Sequence, residues 1–177
     1  MIALVTGGSN SGKSAFAEDL ACSLGPQRTY VATMAPSAQA QARIERHRRH
    51  RAGKSFTTYE CLGGIAPQLL DSTNDDVVLL DDLGNLVANA LFNVHGNMED
   101  PTRVTHRLDT ELLQLCGGHR HVVVVYDQAG SDGIDASDQT LAWLTTCGTL
   151  ACRMAARAKV VVEVTCGVPC VLKGVLP

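Results

Sequence analysis

Short runs of β-branched and aliphatic residues alternate along this chain with longer segments of helical periodicity. The short runs predict strands at Ile2–Thr6, Thr29–Thr33, Val77–Asp81, His121–Tyr126 and Val160–Thr165. The longer segments predict helices at Gly12–Ser23, Ala38–His50, Gly64–Leu70, Leu83–Phe92, Pro101–Cys116 and Ser137–Ala158. Strand and helix taking turns in this way implies an α/β fold with a mostly parallel sheet. Continuous apolar runs such as Val122–Val125 imply strands covered on both faces. After the last predicted strand, Cys166-Gly167-Val168-Pro169 reads as a turn leading into Cys170–Lys173. A terminal antiparallel hairpin at the sheet edge is expected there. The polar stretch Asn93–Asp100 and the two-glycine stretch Ala129–Asp135 are expected to be loops at a functional rim. No internal repeat, linker or low-complexity tract interrupts the chain, so a single domain over residues 1–177 is expected.

Composition narrows the function classes. Hydrophobic residues at 45% and charged residues at 19% suit a soluble globular protein and not a disordered one. A net charge of −3 argues against wholesale nucleic-acid binding, and 4% aromatics leaves little for base-stacking platforms. No apolar run approaches the roughly 20 residues that span a bilayer. Met1 to Val5 lacks a basic flank and leads into glycines, so it reads as a first strand and not as a signal peptide. Seven cysteines form an odd set without Cys-x-x-Cys spacing. Free buried thiols in a reducing cytoplasm are expected, and no structural zinc site.

The most specific signal is Gly7-Gly8-Ser9-Asn10-Ser11-Gly12-Lys13-Ser14, a full G-x-x-x-x-G-K-S between a strand and a helix. Glycines let backbone N–H groups converge on phosphate oxygens, and the helix N-terminus adds partial positive charge. Lys13 is expected to pair with β- and γ-phosphates, and the Ser14 hydroxyl to ligate Mg²⁺. A partner carboxylate is available where Asp76-Val77-Val78-Leu79-Leu80-Asp81-Asp82 ends in acids. Asp81 or Asp82 could bind Mg²⁺ directly or through water, Asp81 being favoured, although Asp is also an ordinary helix N-cap.

The segment Arg43-Ile44-Glu45-Arg46-His47-Arg48-Arg49-His50-Arg51 is the second informative one. At helical spacing Arg43, His47 and Arg51 share a face. Flanking arginines would hold phosphates beside the imidazole and disfavour its protonation, which leaves a nucleophile toward phosphorus. Chemistry alone favours a solvated basic face over a catalytic one. A His47/His50 metal pair and an RNA-binding helix are weaker alternatives, the second because aromatics are absent.

Taken in order, these motifs resemble the bifunctional adenosylcobinamide kinase / adenosylcobinamide-phosphate guanylyltransferase family of cobalamin biosynthesis. The likeness runs through Thr6 to Ser14 with Ala17-Glu18, Tyr30-Val31-Ala32-Thr33, Arg43-Ile44-x-x-His47-Arg48 and Phe56-Thr57-Thr58-Tyr59-Glu60. It continues with Leu79-Leu80-Asp81, Asn89-Ala90-Leu91, Gly167-x-Pro169 and Leu172-Lys173. The resemblance implies a P-loop NTPase-like three-layer sandwich and a homotrimer. It also implies phosphorylation of adenosylcobinamide, then GMP transfer from GTP through a histidine-bound intermediate to give adenosylcobinamide-GDP. ATP and GTP would be substrates, with Mg²⁺. His47 falls on the family's histidine. Gly7, Gly8, Ser9, Asn10, Ser11, Gly12, Lys13, Ser14, Ala32, Thr33 and Met34 would contact the nucleotide. Arg48, Arg49, His50, Arg51, Glu60 and Asp81 would complete the site, Glu60 accepting from guanine N–H groups. Arg43 and Arg51 would stabilise developing phosphate charge.

The chain departs from the family pattern at several places. Ser37-Ala38-Gln39-Ala40 stands for an acidic D-x-E-M-type stretch, Asn10 for a common Arg, and Phe56 for Trp. Asp127-Gln128-Ala129-Gly130 replaces Asn-Glu-Val-Gly, Ala151-Cys152 replaces an Asn-Gln pair, and Lys159 replaces an Asp. Two other readings are kept beside the leading one. These are a nucleotide-binding subunit without turnover, and a P-loop kinase for another alcohol in which the arginines merely hold phosphates.

Overall fold

The structure, a computed structural model, describes residues 1–37, 40–71, 74–92, 97–128 and 137–177. Among the described residues seven strands form one sheet: β1 Ile2–Gly7, β2 Arg28–Ala32, β3 Phe56–Glu60, β4 Asn74–Asp81, β5 His119–Asp127, β6 Val160–Thr165 and β7 Val168–Lys173. Between them lie α1 Lys13–Leu24, α2 Gln41–Arg51, α3 Pro67–Leu70, α4 Leu83–Leu91, α5 Pro101–Gly118 and α6 Asp138–Arg157. The strand order is β3-β2-β4-β5-β1-β6-β7. All neighbours are parallel except β6 and β7, which pair antiparallel at the edge. This is the expected three-layer, P-loop NTPase-like α/β sandwich.

Alternation hidden inside continuous apolar runs builds the layers. From β1, β4 and β5, the side chains of Ala3, Val5, Val77, Leu79, Val123 and Val125 join Ala17, Leu20 and Ala21 of α1 in one buried cluster. Their alternates Leu4, Val78, Leu80, Val122 and Val124 join residues of α3, α4, α5 and α6 on the other face. Because β1 lies between β5 and β6 while β4 lies between β2 and β5, the carboxyl ends of four parallel strands converge. The register sets Gly7 beside Asp127, and Ala32 between Asp81 and Glu60. Ligands of open parallel sheets bind outside such carboxyl ends.

Sequence patterning misses one strand outright. β3 carries no buried apolar run, since Thr57, Thr58, Tyr59 and Glu60 are exposed and Phe56 is half-buried, so its period-2 signal is weak. It sits at the other sheet edge, where one neighbour suffices. Helix α3 starts at Pro67 and not at Gly64, because the pyrrolidine ring suits the first helical position. The closing turn is tighter than expected: only Cys166 and Gly167 lie outside strands, and Val168 and Pro169 already belong to edge strand β7. All seven cysteines are free, but the expectation that they are buried holds only for Cys61 and Cys147, while Cys22 and Cys116 are half-buried. Cys152 on α6, and Cys166 and Cys170 in the hairpin, are exposed. Of the two expected loops, residues 129–136 and 93–96 lie outside the described residues. No helix among the described residues is long and apolar enough to cross a membrane.

Candidate active site

The loop from β1 to α1 is held by features only glycine permits at two positions. A Cβ on Gly7, at φ +152, would lie 2.4 Å from the carbonyl oxygen of Val164. Gly12, at φ +95, lies in the left-handed region, where an added Cβ would lie 3.4 Å from the Cα of Gly167, and it gives α1 no side-chain cap. The first turn of α1 thus presents its backbone donors toward the loop, the arrangement suited to an anion. The hairpin turn docks on this loop, with Gly167 N donating to Ser11 O at 2.8 Å. Lys13 is 4% exposed. Its Nζ donates to Gly8 O at 3.1 Å and pairs with Asp127 Oδ2 at 3.2 Å.

The two acids at the end of β4 divide the roles left open by sequence. Asp82 is the N-cap of α4, accepting from Asn85 N at 2.7 Å. Asp81 turns to the loop, and its Oδ1 accepts from Ser14 Oγ at 3.3 Å. Its Oδ2 accepts from Tyr30 Oη at 2.9 Å and lies 3.8 Å from His47 Nδ1. Burial, reinforced by the charge of Asp81, pushes the Tyr30 phenol well above its ordinary range, so it stays a donor. Ser14 and Asp81 offer hard oxygens of the kind Mg²⁺ prefers. Among the described residues no group of three or more His, Cys, Asp or Glu gathers around one point. Two protein oxygens completed by phosphate and water would suit that ion.

Helix α2 lies across the carboxyl edge and separates two pockets. One, of about 710 Å³, is lined by Tyr30, Ala32, Met34, Ile44, His47, Arg48, Arg51, Thr58, Glu60 and Asp81 among others. The other follows the loop, from Asn10 to Ala15 and Glu18, and is closed by Arg46, His47 and His50. His47 borders both. Arg51 stacks on Tyr30 with its guanidinium carbon 3.5 Å from the ring centroid. Its Nη1 is buried without a hydrogen-bond partner in the protein. Arg48 and Glu60 form a loose pair at 3.5 Å with both side chains about 60% exposed, a contact worth under about 1 kcal/mol.

Most sequence-predicted positions thus meet at one edge, but not all. Arg49 is exposed and lines neither pocket. Thr33 is buried and exchanges hydrogen bonds with the Asp82 backbone through its hydroxyl. The side chain of Arg43 lies outside the described residues, so the proposed Arg43–His47–Arg51 face is seen only at His47 and Arg51. Sequence reasoning passed over Tyr30 and Lys54. Lys54 Nζ bonds Glu18 at 3.0 Å and Asp19 at 2.8 Å, and its carbonyl accepts from Arg28 Nη1 at 2.6 Å. This clamps the chain just after α2 onto α1. Burial pushes the fully enclosed Glu18 carboxyl up, against the pull of Lys54. No spacing signal links these residues, because strand order and not sequence distance brings them together.

Residues 3–172 match the family of cobinamide kinase / cobinamide phosphate guanyltransferase. The chain is 31% identical over 140 residues to the bifunctional adenosylcobalamin biosynthesis protein CobU of Salmonella typhimurium, covering 73% of this chain and 76% of that one. It is 28% identical over 174 residues to the bifunctional adenosylcobalamin biosynthesis protein CobP of Pseudomonas aeruginosa, covering 97% and 96%. The crystal structure of the RadB recombinase superposes with a TM-score of 0.49 at 14% identity, over 92% of this chain and 73% of that one. With the match spanning nearly the whole chain, the protein belongs to the cobinamide kinase / cobinamide phosphate guanyltransferase family of enzymes.

Proposed function

We propose that this enzyme phosphorylates adenosylcobinamide and then transfers GMP from GTP, through a His47–GMP intermediate, to give adenosylcobinamide-GDP. The observation that carries the reading is the position of His47, which borders both the loop pocket and the pocket lined by Ile44, Arg51 and Glu60. A triphosphate seated along Gly7 to Ser14 would bring its α-phosphorus toward the junction of those pockets. Lys13 would neutralise the terminal phosphates, the main electrostatic contribution to such transfers. Ser14 and Asp81 would hold Mg²⁺, which when bound supplies further charge neutralisation on the phosphates.

Asp81 beside Nδ1 orients the imidazole and leaves the attack to Nε2. Attack forms the N–P bond as the bond to the β-phosphate oxygen breaks, releasing pyrophosphate. The acceptor phosphate then displaces the imidazole. Arg51, with a buried Nη1 lacking a protein acceptor, is placed to meet developing phosphate charge. Arg46 and His50 add positive potential on the loop side. Glu60, exposed at the end of β3, can accept two guanine N–H groups. Incubation with α-labelled GTP and Mg²⁺ tests the reading: an acid-labile label on the protein, lost in His47→Ala, is expected. A label that persists in His47→Ala would remove His47 from the reaction.

A homotrimer working in the cytoplasm belongs to the same proposal, and sedimentation of the purified chain measures the first part directly.

A further inference from the structure

The carboxylate of Asp127 has no part in the scheme above, yet it puts a negative charge where an anion is to bind. Its Oδ2 is 3.2 Å from Lys13 Nζ, and both side chains are largely enclosed. The backbone leaves it little freedom. Asp127 ends β5 in register with Gly7, and the ladder runs on through Gln128 N to Gly7 O at 3.1 Å. The other acids of this edge are engaged elsewhere. Asp81 accepts from Ser14 and Tyr30, Asp82 caps α4, and Glu18 holds Lys54. Asp127 is also a position where the chain departs from the family pattern, which has Asn there. Asp in place of Asn keeps the shape of the side chain and adds a charge, so what is particular to this chain is electrostatic.

We propose that Asp127 is a specificity-determining residue of the loop, a fixed charge that makes tight binding of a triphosphate depend on a divalent cation. This inference rests on the nucleotide and Mg²⁺ reading of the function proposed above. A terminal phosphate bonded to Lys13 has its oxygens within roughly 6 Å of the Asp127 carboxylate, two hydrogen-bond lengths in series. Like charges that close repel strongly where water is scarce. A metal-free triphosphate brings its whole charge and meets the full repulsion. With Mg²⁺ held by Ser14 and Asp81, the charge it brings is roughly halved, and the repulsion falls with it. Binding also draws Lys13 away from Asp127, a cost that both forms of the nucleotide share. An amide at this position would still accept from Lys13, and it would not repel the phosphate.

The test is calorimetric titration of the chain with GTP, and separately with ATP, once in excess Mg²⁺ and once in EDTA. Its readout is the ratio of metal-free to metal-loaded Kd, which a general loosening of the fold would leave unmoved. Asp127→Asn is expected to lower that ratio about 10-fold, with metal-free affinity rising about 30-fold and metal-loaded affinity about 3-fold. Asp127→Ala removes the charge without supplying an amide. It should lower the ratio by a similar factor, so either variant decides the matter should the other not fold. Asp127→Glu keeps the charge and is expected to stay within about 3-fold of the wild-type ratio. An unchanged ratio in D127N and D127A would overturn the proposal and reduce Asp127 to a counter-ion of Lys13. So would weaker metal-loaded binding in both, which marks Asp127 as a holder of the cation. A wild-type chain that binds neither nucleotide in either condition sinks the nucleotide reading itself and this inference with it. A wild type that binds equally well with and without Mg²⁺ sinks the inference alone.

Discussion

The loop at Gly7 to Ser14 and the basic helix α2 face each other across the site, but they are held by different physics. The loop grows out of β1, whose Ala3, Leu4 and Val5 are buried on both faces and flanked by β5 and β6. Its turn admits no Cβ at Gly7, and the β6–β7 hairpin braces it from behind. Helix α2 has no such foundation. Nine of its eleven residues are polar or charged, Ile44 is only half-buried, and none of the described α2 side chains enters the core. Polar contacts place it: Arg51 on the Tyr30 ring, His47 beside Asp81, and the Lys54 clamp beyond its end. The loop end of the site is thus positioned by the hydrophobic core, and the His47 end by a few charges. Damage to the first should abolish chemistry of every kind, while damage to the second should be graded.

Lys13→Ala is the most severe test of that contrast. Both γ-phosphate transfer and formation of the protein–GMP adduct are expected to fall by about 10³-fold or more, because both need the neutralised triphosphate. Parallel assays with γ- and α-labelled nucleotide check this. An adduct that still forms at wild-type rate would show that the loop does not serve the histidine.

Lys54→Met attacks the clamp. It leaves Glu18, 1% exposed, without its cation. The expected loss of stability is about 2 kcal/mol, below the value of about 3–5 kcal/mol for a wholly buried pair because Lys54 itself is 27% exposed. This loss depends on pH. Burial already raises the Glu18 carboxyl above its ordinary 4.5, and removing Lys54 raises it further. The folded variant then binds a proton that the unfolded chain has released, so stability falls as pH rises from 4.5 through the raised folded pKa. Urea midpoints should therefore separate variant from wild type most at neutral pH and converge toward pH 4.5. A constant gap would mean that the clamp acts through packing alone.

Tyr30→Phe is the gentlest probe. It deletes one hydrogen bond to Asp81 while keeping the ring beneath Arg51. A loss of about 1 kcal/mol, or roughly fivefold in adduct formation, is expected, with γ-phosphate transfer affected less. Equal effects on both reactions would place Asp81 on the triphosphate side of the comparison only.

The contrast also explains what sequence made legible. The loop was readable because its chemistry is local: eight consecutive residues between a strand and a helix carry it. The sheet core was readable because Val77–Leu80 and Val122–Val125 are apolar without interruption. Where strands pair at an exposed edge, as Phe56–Glu60 does, pattern fades. The partition of Asp81 and Asp82 depended on which backbone direction each faces, and no spacing encodes that. Tyr30 and Lys54 matter only through strand order, which sets β2 beside β4 and the end of α2 beside α1. Only the resemblance singles out His47, since chemistry alone favours a solvated basic face. In the structure His47 lines both pockets.

The most direct test of the account is the identity of the atom that receives GMP. After incubation with α-labelled GTP and Mg²⁺, peptide mapping under alkaline conditions should locate the label on His47, and His47→Ala should carry none. Label on another residue, or an unlabelled wild-type protein that still makes adenosylcobinamide-GDP, would contradict it.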